Sequence, residues 1–118
     1  MDFVKMQGLG NDFIIVETGS WNEADYLQKY ASLLCDRHFG IGADGLVAIG
    51  PDEAMDIFMR IFNPDGSEPE MCGNAIRCVA RYGFDKGWVN NENISIRTLA
   101  GARYPQLQTV AGKAVNVR

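Results

Sequence analysis

The chain has 118 residues, 47% of them apolar and 22% charged, with 15 acidic and 11 basic side chains for a formal net charge of −4. This is the composition of one folded domain, not of a disordered segment, and its acidic balance lacks the basic footprint of a nucleic-acid binder or of a protein that adheres to anionic membranes. No window approaches the roughly 20 apolar residues of a spanning helix, and Met1-Asp2-Phe3-Val4-Lys5-Met6 contains no apolar secretion core, so the cytoplasm is the expected compartment.

In chain order, Phe3 to Met6 and Phe13 to Glu17 read as short strands separated by the turn-forming Gly8-Leu9-Gly10-Asn11-Asp12. From Asn22 to His38 the apolar residues Tyr26, Leu27, Tyr30, Ala31, Leu34 and Cys35 recur at helical spacing, which predicts an amphipathic helix stopped by Gly40. Leu46 to Ile49 and Asp56 to Phe62 read as strands, the second alternating Ile57, Met59 and Ile61 against Phe58, Arg60 and Phe62. A second helix is expected from Gly73 to Lys86, closed by Gly87. It offers Ile76, Val79, Ala80 and Gly83 as a close-packing face, and Arg81 and Asp85 as an exposed pair. Ile94 to Thr98, Ala102 to Tyr104, Leu107 to Val110 and Ala114 to Val117 are short runs divided by Gly101, Pro105 and Gly112, the pattern of antiparallel hairpins. The class is mixed α/β (α+β). The last residues, Val115-Asn116-Val117-Arg118, lie inside a predicted strand, so the sequence reads as part of a longer chain.

Two glycine-rich stretches bear on function. Gly40-Ile41-Gly42-Ala43-Asp44-Gly45 spells the dinucleotide-binding pattern, but that pattern works only where a strand feeds the glycines and a helix begins at them. Here a helix precedes and a strand follows, which makes the stretch a helix stop and turn. In Gly8-Leu9-Gly10-Asn11-Asp12 two readings stand side by side: Asn11 and Asp12 satisfy a turn, or Asn11 presents its amide to a ligand.

The three cysteines cannot all pair within the chain, and with no secretion signal they are expected to stay reduced. Their spacing, with the lone His38, does not match a zinc site, and Asn93-Ile94-Ser95 is a chance match to a glycosylation acceptor. Cys35 and Cys78 continue apolar helical faces and read as core. Cys72 differs, because it stands between the turn-rich Asn63-Pro64-Asp65-Gly66-Ser67 loop and the helix start at Gly73-Asn74. The first-turn N–H groups of a helix have no intrahelical partners, and the positive end of its dipole favours an anionic thiolate or a bound carboxylate. The competing reading is a buried, inert cysteine, the usual fate of free Cys.

Four blocks in fixed order carry a resemblance: Met6-Gln7-Gly8-Leu9-Gly10-Asn11-Asp12-Phe13, Asp36-Arg37-His38-Phe39-Gly40-Ile41-Gly42-Ala43-Asp44-Gly45-Leu46, Phe62-Asn63-Pro64-Asp65-Gly66-Ser67 and Met71-Cys72-Gly73-Asn74-Ala75-Ile76-Arg77-Cys78. With the weaker Thr98-Leu99-Ala100-Gly101, they resemble diaminopimelate epimerase. The resemblance implies a curved, mainly antiparallel sheet wrapped around the Gly73 helix, with the Asn22–His38 helix outside. It also implies chemistry without metal or organic cofactor, in which two cysteines on opposite faces of the α-carbon interconvert LL- and meso-diaminopimelate.

Carried onto this chain, the resemblance makes Cys72 one of the catalytic pair, with Gly73 and Asn74 holding the α-carboxylate and Asn11 and Asn63 contacting substrate. Gly45 departs from relatives that carry Gln there. The family's enzymes have two halves, so residues 1–118 correspond to the N-terminal domain and the second cysteine belongs to an absent C-terminal domain. Cys78, on the same helix as Cys72, cannot serve. The chain alone is expected to be inactive, and its cut edge to favour a homodimer. A racemase of the same superfamily acting on proline-like amino acids, and a non-catalytic binding module, are the alternatives.

Overall fold

The computed structural model describes residues 2–8, 10–89, 92–110 and 113–117, those from 109 onward by backbone alone. Leu9 and Gly112, both read as turn residues, lie outside the described residues. Strands β1 (Val4–Gly8), β2 (Asn11–Glu17), β3 (Gly45–Pro51), β4 (Ile57–Phe62), β5 (Ile96–Thr98) and β6 (Gly101–Arg103) form a six-stranded sheet in the order β1-β2-β3-β4-β5-β6. The β1–β2, β3–β4 and β5–β6 pairs are antiparallel, and β2–β3 and β4–β5 are parallel. Strands β7 (Leu107–Val110) and β8 (Lys113–Val117) form a separate antiparallel pair. Among the described residues no helix is long and apolar enough to cross a membrane.

Each parallel pair requires a crossover. The first carries a 3-10 segment (Asn22–Tyr30) and α1 (Ala31–Cys35), and the second carries α2 (Gly73–Asp85). Both crossovers step the same way across the sheet, but β4 and β5 run opposite to β2 and β3. Right-handed connections then have to cover opposite faces, and the side chains divide accordingly. Phe13, Ile15, Val47, Ile49, Ile57, Met59 and Ile61 pack with the α2 residues Ala75, Ile76, Cys78, Val79 and Ala80. The alternate residues Ile14, Val16, Leu46, Ala48 and Phe62 pack with Ala24, Leu27, Ala31 and Cys35. The period-two alternation of buried strands thus feeds two cores.

The expected close-packing face of α2 is present, with Ile76, Val79, Ala80 and Gly83 all buried. At Gly83 the helix lies so near the sheet that an added Cβ would come within 2.4 Å of Ile57 Cδ1. Arg81 and Asp85 are exposed and approach to 4.0 Å.

The expected Asn22–His38 helix is corrected. The segment winds as a 3-10 helix to Tyr30 and an α-turn to Cys35, and Tyr26 and Tyr30, expected on the buried face, are exposed. A tighter three-residue winding aligns Ala24 with Leu27, and the return to α geometry aligns Ala31 with Cys35; all four are buried. Beyond Cys35 the backbone of Asp36 is extended, and its carboxylate accepts from the His38 and Phe39 N–H groups at 2.7 and 2.9 Å. Such a local side-chain bond competes with helix continuation.

Candidate active site

The register brings distant residues to one end of the sheet. Phe13 stands opposite Gly45 and Leu46 opposite Phe62, so the start of β2, the start of β3 and the end of β4 are neighbours. Asn11, Asp44 and Asn63 therefore share that edge. The Gly40–Gly45 stretch lies between α1 and β3, in the helix-then-strand order that excludes a dinucleotide fingerprint.

Cys72 is the N-cap of α2. Its backbone is extended (φ −139°, ψ 117°) and its carbonyl accepts from the Ile76 N–H at 3.0 Å. Its side chain makes no capping bond, so the thiol is not engaged by the helix. Cys72 is partly exposed, packing against the edge of the α2-side core, whereas Cys35 and Cys78 are buried and all three are free. Burial pushes the Cys78 thiol up, and proximity to Cys72 adds to this; burial likewise pushes Cys35 up. Both are core cysteines. Gly73, at the helix start, is exposed, and among the described residues no atom outside its chain neighbours and its own helix backbone lies within 4 Å of where its Cβ would be, so a ligand can approach the first-turn N–H groups closely.

Asn74 turns back toward β2, its Nδ2 donating to Asn11 Oδ1 at 2.6 Å. Asn11 Nδ2 donates in turn to Asp44 Oδ2 at 3.3 Å, and the same carboxylate oxygen accepts from the Asp12 N–H at 3.0 Å. The reading of Asn11 and Asp12 as turn residues is corrected, since both belong to β2 and pair with Gly8 and Gln7 of β1; the Asn11 amide is engaged by Asn74 and Asp44 in a network leading to the Cys72 helix. Asp44 is held by Arg37, whose guanidinium also grips both oxygens of Asp12 at 3.1 and 2.8 Å. The Arg37 hydrogen bond, with help from Lys5 at 3.2 Å, holds the Asp12 carboxyl well below the usual carboxylate range. Arg37 is correspondingly raised, chiefly by the hydrogen bond to Asp12.

Asn63 shares the edge but bonds within its own turn. Its N–H donates to the Ser67 carbonyl at 2.8 Å, and its Nδ2 to Ser67 Oγ at 3.0 Å. The Asp65 carboxyl is lowered by the Ser67 hydroxyl and N–H that donate to it. Among the predicted residues the structure thus joins Asn11 to Asn74 and sets Cys72 and Gly73 at the same helix start. Asn63 stands on the adjacent strand end, its amide directed into its turn.

Sequence reasoning missed Arg37, Asp12 and Asp44 as a cluster, because Asp12 lies 25 positions from Arg37 and 32 from Asp44, too far apart to leave a local pattern. It also missed Arg60, which had a visible signal: a lone charge in the otherwise apolar β4 sequence Ile-Phe-Met-Arg-Ile-Phe.

The fold is shared with solved racemase and isomerase structures. It superposes on a probable proline racemase from Agrobacterium radiobacter with a TM-score of 0.77 at 15% identity, covering 98% of this chain and 39% of the other. It matches methylitaconate-delta-isomerase with a TM-score of 0.71 at 20% identity, covering 95% of this chain and 35% of the other. Sequence narrows the class. The profile of the diaminopimelate epimerase family matches residues 3–118. Diaminopimelate epimerases of Pelotomaculum thermopropionicum and Caldanaerobacter subterraneus are each 52% identical over the whole chain. The chain belongs to the diaminopimelate epimerase family. It spans 42% of the length of those relatives.

Proposed function

We propose that residues 1–118 are the N-terminal domain of a cytoplasmic, cofactor-independent epimerase that interconverts LL- and meso-2,6-diaminopimelate, a step toward lysine and peptidoglycan precursors. The observation that carries this reading is the partly exposed Cys72 at the start of α2, its thiol free of any capping bond, beside the Asn74–Asn11 pair. Family membership and the match to less than half of each relative's length support it.

In the forward step the Cys72 thiolate takes the α-proton: the C–H bond breaks, an S–H bond forms, and the electron pair stays on the α-carbon as a carbanion delocalised into the carboxylate. A second thiol, from a C-terminal domain outside this chain, delivers a proton to the opposite face. The reverse reaction exchanges the two roles. Gly73 and Asn74 hold the carboxylate through backbone N–H groups, which stabilise the charge that develops on it. Asn11 fixes the orientation of Asn74 and, with Asn63, contacts the rest of the substrate.

The test is α-proton exchange into deuterated solvent. The full-length protein exchanges and epimerises diaminopimelate, its Cys72→Ala variant does not, and the 118-residue chain alone is inactive. Exchange by the isolated chain at an enzymatic rate would refute the two-domain mechanism. A racemase acting on proline-like substrates is the second reading, favoured by the fold shared with proline racemase. Turnover of proline but not of diaminopimelate by the full-length protein would establish it.

A further inference from the structure

The side chain of Arg60 is 7% exposed, so a full positive charge lies sheltered between β4 and the 3-10 segment. Its Nε donates to Glu68 Oε2 at 2.9 Å and its Nη2 to Glu68 Oε1 at 3.0 Å, a two-pronged grip. Nη1 donates to the Trp21 carbonyl at 2.8 Å and to the Asp25 carboxylate. The rings of Trp21 and Phe62 each lie 5.3 Å from the guanidinium carbon. Of the two acidic partners, Asp25 is 71% exposed and Glu68 only 14%, so the sheltered bond is the one to Glu68.

A buried ion pair is a weak source of stability, since an apolar pair of similar volume often does as well. What the forked pair adds is orientation, because a guanidinium fixes the plane and position of the carboxylate it grips. Glu68 is well placed to transmit that orientation. Upstream, the Asn63–Ser67 turn is pinned where Gln28 Nε2 donates to the Gly66 carbonyl at 2.9 Å. Downstream, residues 68–71 make no backbone–backbone hydrogen bond among the described residues. Between the turn and the Cys72 N-cap the loop is held by the Glu68 carboxylate, by the fixed φ of Pro69, and by Arg103 Nε donating to Met71 Sδ at 3.1 Å.

We propose that Arg60 is a positioning residue which, through Glu68, fixes the loop that delivers Cys72 to the start of α2. The catalytic consequence rests on the epimerase reading; the geometric one does not. Arg60 touches no reacting atom. It ties the loop to the sheet on one side and, through Trp21 and Asp25, to the 3-10 segment on the other.

The test reads Cys72 directly. Iodoacetamide labelling of the 118-residue chain, followed by peptide mass spectrometry, reports Cys72, while buried Cys35 and Cys78 report global opening. Three variants are compared: Arg60→Lys, which keeps the charge but loses the fork; Glu68→Gln; and the apolar double replacement Arg60→Met with Glu68→Leu. In each, Cys72 labelling accelerates at least about threefold while Cys35 and Cys78 stay slow, and the double replacement keeps its unfolding midpoint. In the full-length protein Arg60→Lys lowers kcat about tenfold and moves KM less than about twofold, the mark of a misplaced reacting group and not of lost binding.

Unchanged Cys72 labelling in all three variants overturns the proposal, as does acceleration only in step with Cys35 and Cys78. If the double replacement unfolds, the two single replacements decide on the same criterion. If the wild-type full-length protein fails to epimerise diaminopimelate, the proposed function falls, and the labelling still decides the role of Arg60.

Discussion

Asn74, in the first turn of α2, donates its side-chain amide to Asn11 at the first position of β2, at 2.6 Å. This bond joins the helix that carries Cys72 to the edge of the sheet, and Asp44 fixes its sense by accepting the other end of the Asn11 amide. A part-buried side-chain pair of this kind is worth about 0.5–1.5 kcal/mol. Replacing Asn11 and Asn74 by Ala, singly and together, is expected to show a coupling of that size in urea unfolding. Strictly additive losses would mean that the two amides act independently.

The three thiols are expected to separate by reactivity. Cys72 is partly exposed at a helix start, while burial encloses Cys35 and Cys78 and raises both. At neutral pH iodoacetamide therefore modifies Cys72 first. Cys78→Ala is expected to leave the rate of Cys72 modification unchanged and to cost about 1 kcal/mol of stability for the emptied sulfur site. Faster modification of Cys78 than of Cys72 in the folded chain would reverse the assignment of the two.

How much of this was legible beforehand depended on how local each cause is. The strands from Phe13 to Glu17 and from Asp56 to Phe62 were readable because runs rich in β-branched and aromatic residues leave a local mark, and the observed Asn11–Glu17 and Ile57–Phe62 match them to within two residues. The Gly73 helix was readable for the same reason. The Asn22–His38 segment was not, because Asp25 is held by the distant Arg60, and because the local Asp36 bonds that end the helix compete with an apolar periodicity that runs on past them. Cys72 could be singled out by its helix-start setting. The Asp12–Arg37–Asp44 cluster could not, since only the parallel β2–β3 register brings it together.

That cluster makes acid stability a measurable quantity. Arg37 depresses the Asp12 carboxyl in the folded chain, so the unfolded chain, with an ordinary carboxyl near pH 4, takes up the proton first as pH falls. The contribution is fully present above about pH 4 and is lost progressively below it. Asp12→Asn is expected to lower stability by about 0.5–1 kcal/mol at pH 7, the scale of a partly exposed pair, and to have a shrinking effect below pH 4. An effect that grows toward low pH would contradict the pairing.

At the opposite end of the titration, burial pushes Tyr82 up to about 12, and its bond to Glu17 at 3.0 Å adds to this. The folded chain keeps its phenol proton where the unfolded chain has begun to lose it, near pH 10. The contribution of Tyr82 is therefore intact below about pH 10 and falls away as pH rises through 12. Tyr82→Phe is expected to cost about 0.5–1.5 kcal/mol at neutral pH through the lost bond, and to flatten the alkaline decline. Chemical denaturation at pH 8 and pH 11 measures both; equal alkaline slopes would exclude Tyr82 as the source.

The bond between residues 11 and 74 spans 63 positions of sequence. Neither the hairpin nor the helix can present that arrangement alone, because each amide is aimed by the other and by the register of strands between them. Formation of this pair thus accompanies closure of the sheet. The loop-closure entropy of bringing such remote groups together is settled during folding, before any substrate arrives. Under the proposed epimerase reading, the substrate meets these two amides already placed, and binding energy that would otherwise go to gathering them remains for holding it.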